Sequence, residues 1–90
     1  MLIITYDISD NKLRTRFAKF LAKFGYRLQY SVFKIKNSSK ILANIIAEIE
    51  GKFEKKFDQT DSIMIFNLSK QCKIARYGYA KNEEKNLIII

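Results

Sequence analysis

Hydrophobic and polar residues recur along this chain with two different periods. Leu2–Asp7 is a short run of β-branched and aromatic residues, which predicts a buried strand. Ser9 and Asp10 follow it and are typical helix-start residues. Gly25 stands where the end of the following helix favours a residue that tolerates a positive φ angle. Between them, apolar residues recur at the spacing that puts them on one face of a helix, and they are Leu13, Phe17, Phe20, Leu21 and Phe24.

The next stretch predicts one strand and a second helix. The segment 26–36 is rich in aromatic and β-branched residues, and its side chains alternate between two faces. We expect Tyr26 and Tyr30, which share a face in this alternation, to pack under the helices. The segment 37–39 then interrupts the pattern and offers helix caps, and Gly51 weakens the last turns of the helix. The apolar stripe of this second helix consists of Ile41, Leu42, Ile45, Ile46, Ile49 and Phe53.

The remainder of the chain predicts short strands over 62–68, 73–79 and 87–90. We assign the chain to the α+β ferredoxin-like class, with the order β-α-β-β-α-β and an additional C-terminal strand. The pattern itself supplies one strand between the two helices, where this class has two. We therefore expect a ferredoxin-like domain over 1–80 and a C-terminal linker and strand over 81–90. Because the last four residues are all apolar, we expect this strand to be exchanged between the two subunits of a homodimer. Pairing with the sheet edge of its own protomer is the alternative.

Composition and charge narrow the class of function. A chain of 90 residues suits one domain, and its 48% hydrophobic fraction is too high for a disordered protein. Residues 1–45 carry nine basic and two acidic side chains, whereas residues 46–90 carry eight and seven. The net charge of the chain is +8, and the excess of basic side chains is concentrated in its first half. This excess predicts a polyanionic partner, most simply nucleic acid. The alternative is an ordinary solvated basic surface.

Cysteine and histidine usage limits the metal chemistry and the disulfide chemistry. The chain has no histidine and one cysteine, Cys72, which excludes an intrachain disulfide and a Cys/His zinc site in one chain. A metal ion would therefore take oxygen ligands, which favours Mg²⁺ or Mn²⁺. No apolar run reaches the length of a membrane span, and the N-terminus lacks the basic region of a signal peptide. We expect a cytoplasmic protein that does not contact a membrane.

Asp7 is the candidate metal ligand, because it ends the first strand at a sheet end, where ligands commonly bind. A single carboxylate rarely holds Mg²⁺ alone, but two copies that face each other across a twofold axis would do so. Such an ion would polarise a phosphodiester and generate hydroxide. The alternative, which the residues alone favour, is that Asp7 satisfies backbone amides ahead of the first helix.

Basic side chains on the first predicted helix are candidates for phosphate contacts, which give affinity without sequence preference. Arg14 and Arg16 lie two positions apart and therefore point in different directions. For any single lysine a solvated helix face is the simpler explanation. Arg27, Ser31 and Phe33 share one face of the second predicted strand, where we interpret Phe33 as a packing residue. The predicted nucleic-acid-binding set is Lys12, Arg14, Arg16, Lys19, Lys23 and Arg27.

Two segments carry a family resemblance. The segments 6–10 (Tyr-Asp-Ile-Ser-Asp) and 27–33 (Arg-Leu-Gln-Tyr-Ser-Val-Phe), with the two arginines between them, resemble CRISPR-associated protein 2. The resemblance spans the whole chain and implies a homodimer in which two copies of Asp7 approach a shared divalent metal ion. It also implies a metal-dependent endonuclease acting on single-stranded RNA or duplex DNA. The residues that it ties to that activity are Tyr6, Asp7, Arg14, Arg16, Arg27, Ser31 and Phe33.

The same resemblance implies a role without hydrolysis, in which the dimer bridges copies of the CRISPR integrase (CRISPR-associated protein 1) and holds the duplex destined to become a spacer. Two alternatives remain. One is a stand-alone ribonuclease toxin of a related fold. The other is an RNA-recognition domain, which is disfavoured because the predicted strand over 62–68 lacks the expected aromatic-glycine signature.

Overall fold

A computed structural model describes residues 1–68 and 73–78 of the chain. In this part, two helices pack on one face of a sheet whose five strands lie in the order β2-β3-β1-β4-β5, each antiparallel to its neighbours. The first four strands and the two helices follow the β-α-β-β-α-β order, so the predicted ferredoxin-like fold is confirmed. The strands are β1 (Leu2–Asp7), β2 (Gly25–Gln29), β3 (Val32–Ile35), β4 (Ser62–Asn67) and β5 (Lys73–Gly78), and the helices are α1 (Asn11–Ala22) and α2 (Ser39–Glu48).

The prediction of one strand over 26–36 is wrong, because the chain reverses at Tyr30 and Ser31. β2 and β3 form an antiparallel hairpin, with a register shift between Arg27 and Gln29. The turn lacks the Asn-Gly or Asp-Gly pair that marks most two-residue hairpins, so the pattern does not reveal it. The third strand is therefore β3, not the segment 62–68, and its sequence Val-Phe-Lys-Ile also lacks glycine.

The core lies between the sheet and the two helices. Phe17 of α1 is completely buried, and its ring meets those of Tyr6 and Phe53 edge-on at 5.2 and 5.0 Å. The apolar stripe of α2 continues beyond the helix, because the chain adds a π turn over Ile49–Phe53 and a 3₁₀ turn over Glu54–Lys56. Gly51 lies exposed in the π turn, where the sequence predicts weakened helical structure.

The sequence predicts the residue that begins α1 correctly, but the role it predicts for Gly25 at the other end is wrong. The Asp10 carboxylate accepts a hydrogen bond from the Leu13 backbone N–H at 2.8 Å and caps the helix. At the other end Gly25 is the first residue of β2, and its φ angle lies outside the left-handed region, so the predicted role is wrong. A Cβ at Gly25 would overlap the carbonyl oxygen of Lys34. Glycine is needed there because two strands approach closely.

The face of the sheet opposite the helices has no helix over it among residues 1–68 and 73–78. The predicted linker and exchanged strand over 81–90, and the predicted end of the preceding strand at Tyr79, lie outside the described residues. No described helix is long and apolar enough to cross a membrane. Strand alternation places these side chains together on what we call the open sheet face: Ile3, Thr5, Asp7, Val32, Lys34, Ser62, Met64, Phe66, Ile74 and Arg76.

Candidate functional site

The last two residues of β1 place their side chains on opposite faces of the sheet. Tyr6 points toward the helices and is only 5% exposed. Asp7 follows it, pairs in register with Ser62 and lies exposed on the open sheet face. Among the described residues, its carboxylate has no hydrogen-bond or ion-pair partner. The amide-capping role considered for Asp7 belongs to Asp10 instead, so that alternative is wrong.

Asp7 supplies an oxygen ligand of the kind that Mg²⁺ and Mn²⁺ prefer. Within the described part of the chain, no three His, Cys, Asp or Glu side chains lie close enough together to hold a metal ion. At this end of the open sheet face, the described residues of one protomer therefore offer one exposed carboxylate, which fits half of a shared site and does not fit a complete one. A second copy of the chain would supply a second carboxylate.

A groove of about 660 Å³ opens on the other side of the sheet, between α1 and the β2–β3 hairpin. None of the described residues that line it is acidic. Four aromatic residues and three basic residues contribute to the lining, and they are Tyr6, Tyr26, Tyr30, Phe33, Arg14, Lys19 and Arg27. The groove thus combines ring surfaces with positive charge.

Two arginines of the groove are held against aromatic rings. Nη1 of Arg14 donates to the carbonyl oxygens of Ile8 at 2.8 Å and Ser9 at 3.3 Å, which fixes the guanidinium next to the end of β1. The same guanidinium lies 5.9 Å from the centroid of the Tyr30 ring. The guanidinium of Arg27 lies 5.3 Å from the centroid of another ring, that of Phe33. Both distances suit cation–π attraction, so the charges are positioned before any ligand arrives.

Tyr6 lies at the buried end of this groove. Burial raises the pKa of its hydroxyl, and the neighbouring Tyr30 raises that pKa further. Three influences lower the pKa of Tyr6: the positive charge of Arg27, a hydrogen bond with Arg27 and the positive charge of Arg14. Together they do not cancel the effect of burial. The Tyr6 hydroxyl is therefore protonated at neutral pH, and it serves as a neutral hydrogen-bonding group in the groove.

The structure brings together some of the predicted site residues and separates others. Tyr6, Arg14, Arg27 and Phe33 meet in the groove with Lys19, whereas Asp7 faces the opposite side of the sheet. Phe33 is buried, as its packing role predicts. Three predicted residues lie elsewhere: Arg16 and Lys12 line a separate depression of about 380 Å³ on α1, and Lys23 is the capping residue that follows the last residue of α1.

Ser31 belongs to the site through its backbone. Its carbonyl oxygen accepts a hydrogen bond from the Tyr6 N–H at 3.2 Å, which joins the hairpin turn to the end of β1. This contact places Asp7 and the mouth of the groove at the same end of the sheet. Arg27 and Phe33 share a face, as predicted, but as cross-strand partners in register and not as residues of one strand.

Sequence reasoning misplaced two tyrosines and did not identify one buried carboxylate. Tyr26 and Tyr30 do not pack under the helices, because they are 57% and 68% exposed. The hairpin turn moves Tyr30 out of the strand, so the face assignment that depended on alternation fails. Asp61, which is 1% exposed, was not singled out. Its only signal was an acidic residue at the start of a strand, and that pattern is not specific.

Asp61 anchors the segment that follows Asp7. Its Oδ1 accepts hydrogen bonds from the backbone N–H of Ser9 at 2.9 Å and from the Ser9 hydroxyl at 3.1 Å. Its Oδ2 accepts a third from the N–H of Asp58, also at 2.9 Å. The buried carboxylate therefore joins the chain just after β1 to the chain just before β4.

Comparison with known proteins places this chain in a family. The family model described as CRISPR associated protein Cas2 matches residues 1–75. The chain belongs to the Cas2 family. The family assignment confirms the resemblance that segments 6–10 and 27–33 carry.

Curated relatives of this Cas2 family member include proteins named CRISPR-associated endoribonuclease Cas2. The one from Mycobacterium tuberculosis is 36% identical over 77 residues, which cover 86% of this chain and 65% of that protein. This chain thus spans about two thirds of the length of that relative. One from Methanospirillum hungatei, named Cas2 2, is 29% identical over 90 residues, which cover 98% of this chain and 97% of that protein.

Solved structures share the fold. A hypothetical protein of Thermus thermophilus superimposes with a TM-score of 0.61 and 24% identity, covering 82% of this chain and 87% of its own. Cas2 of Streptococcus pyogenes superimposes with a TM-score of 0.58 and 21% identity, covering 99% of this chain and 96% of its own. Both likenesses are of fold alone.

Proposed function

We propose that this Cas2 family member is a CRISPR adaptation protein that acts as a homodimer on nucleic acid and has metal-dependent endonuclease capacity. The observation that carries the proposal is the exposed, unpartnered Asp7 at the end of the open sheet face. That face also presents five apolar side chains, which a second copy of the chain would remove from water: Ile3, Val32, Met64, Phe66 and Ile74.

A twofold interface through the open sheet face would include Asp7 from both copies, because such an interface uses the same patch on each subunit. The two carboxylates are the residues that would hold Mg²⁺ or Mn²⁺. When bound, the ion would supply polarisation of a phosphodiester and a water of lowered pKa. The arginines at the same end of the sheet would bind the phosphates of the substrate. The relatives named as endoribonucleases support RNA as a substrate, and duplex DNA is the other substrate class.

A second candidate function, a DNA-holding scaffold, is favoured by the lone carboxylate. The described part of one protomer contains no complete set of metal ligands. Sequence-independent contacts to a duplex would instead come from the exposed basic side chains of α1 and of its C-cap, which are Lys12, Arg16, Lys19 and Lys23. In this role the dimer would hold the duplex for the CRISPR integrase, and hydrolysis would not be required.

The test is Asp7→Asn in the full chain, measured in two ways. In vitro, labelled single-stranded RNA and duplex DNA are incubated with Mg²⁺, with Mn²⁺ or with a chelator. We expect the substitution to abolish metal-dependent cleavage and to leave the dimer intact by light scattering, since it removes only the ligand charge. In cells that carry the cognate integrase, spacer acquisition is compared with that of the wild type at matched protein levels.

Glu50→Gln is the matched control, because it neutralises an exposed carboxylate in the helical layer and should leave cleavage unchanged. Residual metal-dependent cleavage by Asp7→Asn would contradict the catalytic role. If acquisition nevertheless survives the loss of cleavage, the protein acts there as a scaffold. Duplex affinity that does not fall with rising salt would count against phosphate contacts altogether.

A further inference from the structure

The groove between α1 and the β2–β3 hairpin has a lining that matches one chemical class of ligand. We infer that it binds an unpaired nucleotide, with the base against Tyr30 and the phosphate against Arg14 and Arg27. This inference rests on the proposed function and deepens it. It identifies the preferred ligand as a single-stranded segment or an unpaired end of a nucleic acid, whether RNA or DNA.

The size and lining of the groove support this ligand. Its volume of about 660 Å³ is in the range of small-molecule sites. A nucleotide presents a planar ring and a phosphate. The groove offers both aromatic rings and cations, and none of its described lining residues is acidic. An apolar peptide would leave the three cations without counter-charges, and a phosphate alone would leave the rings unused.

Arg14 and Tyr30 form the outer part of the proposed site. Hydrogen bonds to the backbone carbonyls of Ile8 and Ser9 and to Oδ1 of Asn11 hold the guanidinium, yet other N–H donors of the group remain for a phosphate oxygen. The Tyr30 ring lies beside it, and that side chain is 68% exposed. An exposed aromatic ring next to a fixed cation offers a stacking surface that packing does not explain.

Duplex DNA cannot use this combination. In a duplex each base is already stacked and paired, so the groove would contact only the backbone. An unpaired nucleotide can turn the face of its base toward Tyr30 while its phosphate remains near the arginines. The rings should therefore add affinity for single strands and add none for a blunt duplex.

The experiment measures binding of the full chain to three fluorescently labelled probes at one salt concentration. The probes are a short unstructured oligonucleotide, an abasic oligonucleotide of equal length and a blunt duplex; the unstructured probe is made in ribose and deoxyribose forms. We expect Tyr30→Ala to weaken binding of at least one unstructured probe about tenfold, the value of one lost base stack. Binding of the abasic and duplex probes should not change, and Tyr30→Phe should bind like the wild type.

Leu28→Ala is the matched control, because Leu28 is 48% exposed on the same hairpin and does not line the groove. It should bind all probes like the wild type, and thermal melts should show that each variant is folded. Equal weakening of all probes by Tyr30→Ala, no weakening of any, or the same loss with Leu28→Ala would overturn the inference. A wild-type chain that binds none of the probes would instead overturn the proposed function.

Discussion

Substitution of Asp61 tests how the chain around the candidate site is held. The carboxylate is 1% exposed and accepts hydrogen bonds from the Ser9 backbone, the Ser9 hydroxyl and the Asp58 backbone. Asp61→Asn keeps the shape of the side chain and one acceptor oxygen. If that oxygen stays with Ser9, the new amide faces the N–H of Asp58, and two donors oppose each other.

The expected loss follows from the number of donors left without an acceptor. A buried donor that loses its partner costs about 1–3 kcal/mol, so Asp61→Asn should lower the free energy of unfolding by about 2 kcal/mol. Asp61→Ala leaves both backbone donors and the hydroxyl unpaired and should cost about 4 kcal/mol. In a domain of this size, each kcal/mol lowers the melting temperature by about 4–8 °C.

The assay is equilibrium unfolding in urea, followed by circular dichroism at one fixed protein concentration, because association would make stability depend on concentration. Asp58→Asn is the matched control, since Asp58 is exposed and the change should cost less than about 0.5 kcal/mol. If Asp61→Asn unfolds at the same urea concentration as the wild type, with the same slope, the buried carboxylate does not hold this segment.

Two further predictions concern Gly25 and Tyr6. Gly25→Ala should lower the free energy of unfolding by about 2 kcal/mol or more, because the added Cβ would overlap the Lys34 carbonyl oxygen and lie 2.8 Å from the Cα of Ile35. Gly51→Ala, whose Cβ would meet nothing within 4 Å, should retain or gain stability in the same urea assay, and equal stability of the two variants would contradict the close approach. Because burial raises the pKa of folded Tyr6 above its ordinary value of 10.0, the folded state holds this proton more tightly than the unfolded state does. The stability that this proton contributes is complete below pH 10.0 and is lost as the pH rises through the folded pKa. The wild type should therefore lose more stability than Tyr6→Phe in alkaline urea titrations. Parallel pH profiles of the two proteins would refute this.

The local elements could be predicted from the sequence, because they depend on neighbours in the chain. The helical period of Leu13, Phe17 and Leu21 marks the buried face of α1 wherever that helix packs. The cap at Asp10 needs only a carboxylate three residues before an N–H. Family membership could also be predicted from the sequence, because two short segments carry the resemblance that the family match confirms.

Contacts between residues far apart in the sequence determine the strand pairing and the side-chain burial that a local pattern does not predict. The segment 26–36 becomes two strands because β3 pairs with β1, with Phe33 opposite Ile4, while β2 folds back onto β3. Local alternation cannot show that reversal when the turn lacks marker residues. The same reversal exposes Tyr30 and places its ring beside Arg14. Asp61 is buried by contact with a residue 52 positions away, which no local window includes.

The sequence by itself determined the positions of β1 and of the two helices, the concentration of positive charge in the first half and the presence of Asp7 at the end of β1. The tertiary structure decided which faces those residues share. It placed Asp7 on the open sheet face and collected Tyr6, Arg14 and Arg27 in a groove on the other side. The physical reason is that the identity of a side chain is local, whereas its surroundings depend on strand pairing between distant parts of the chain.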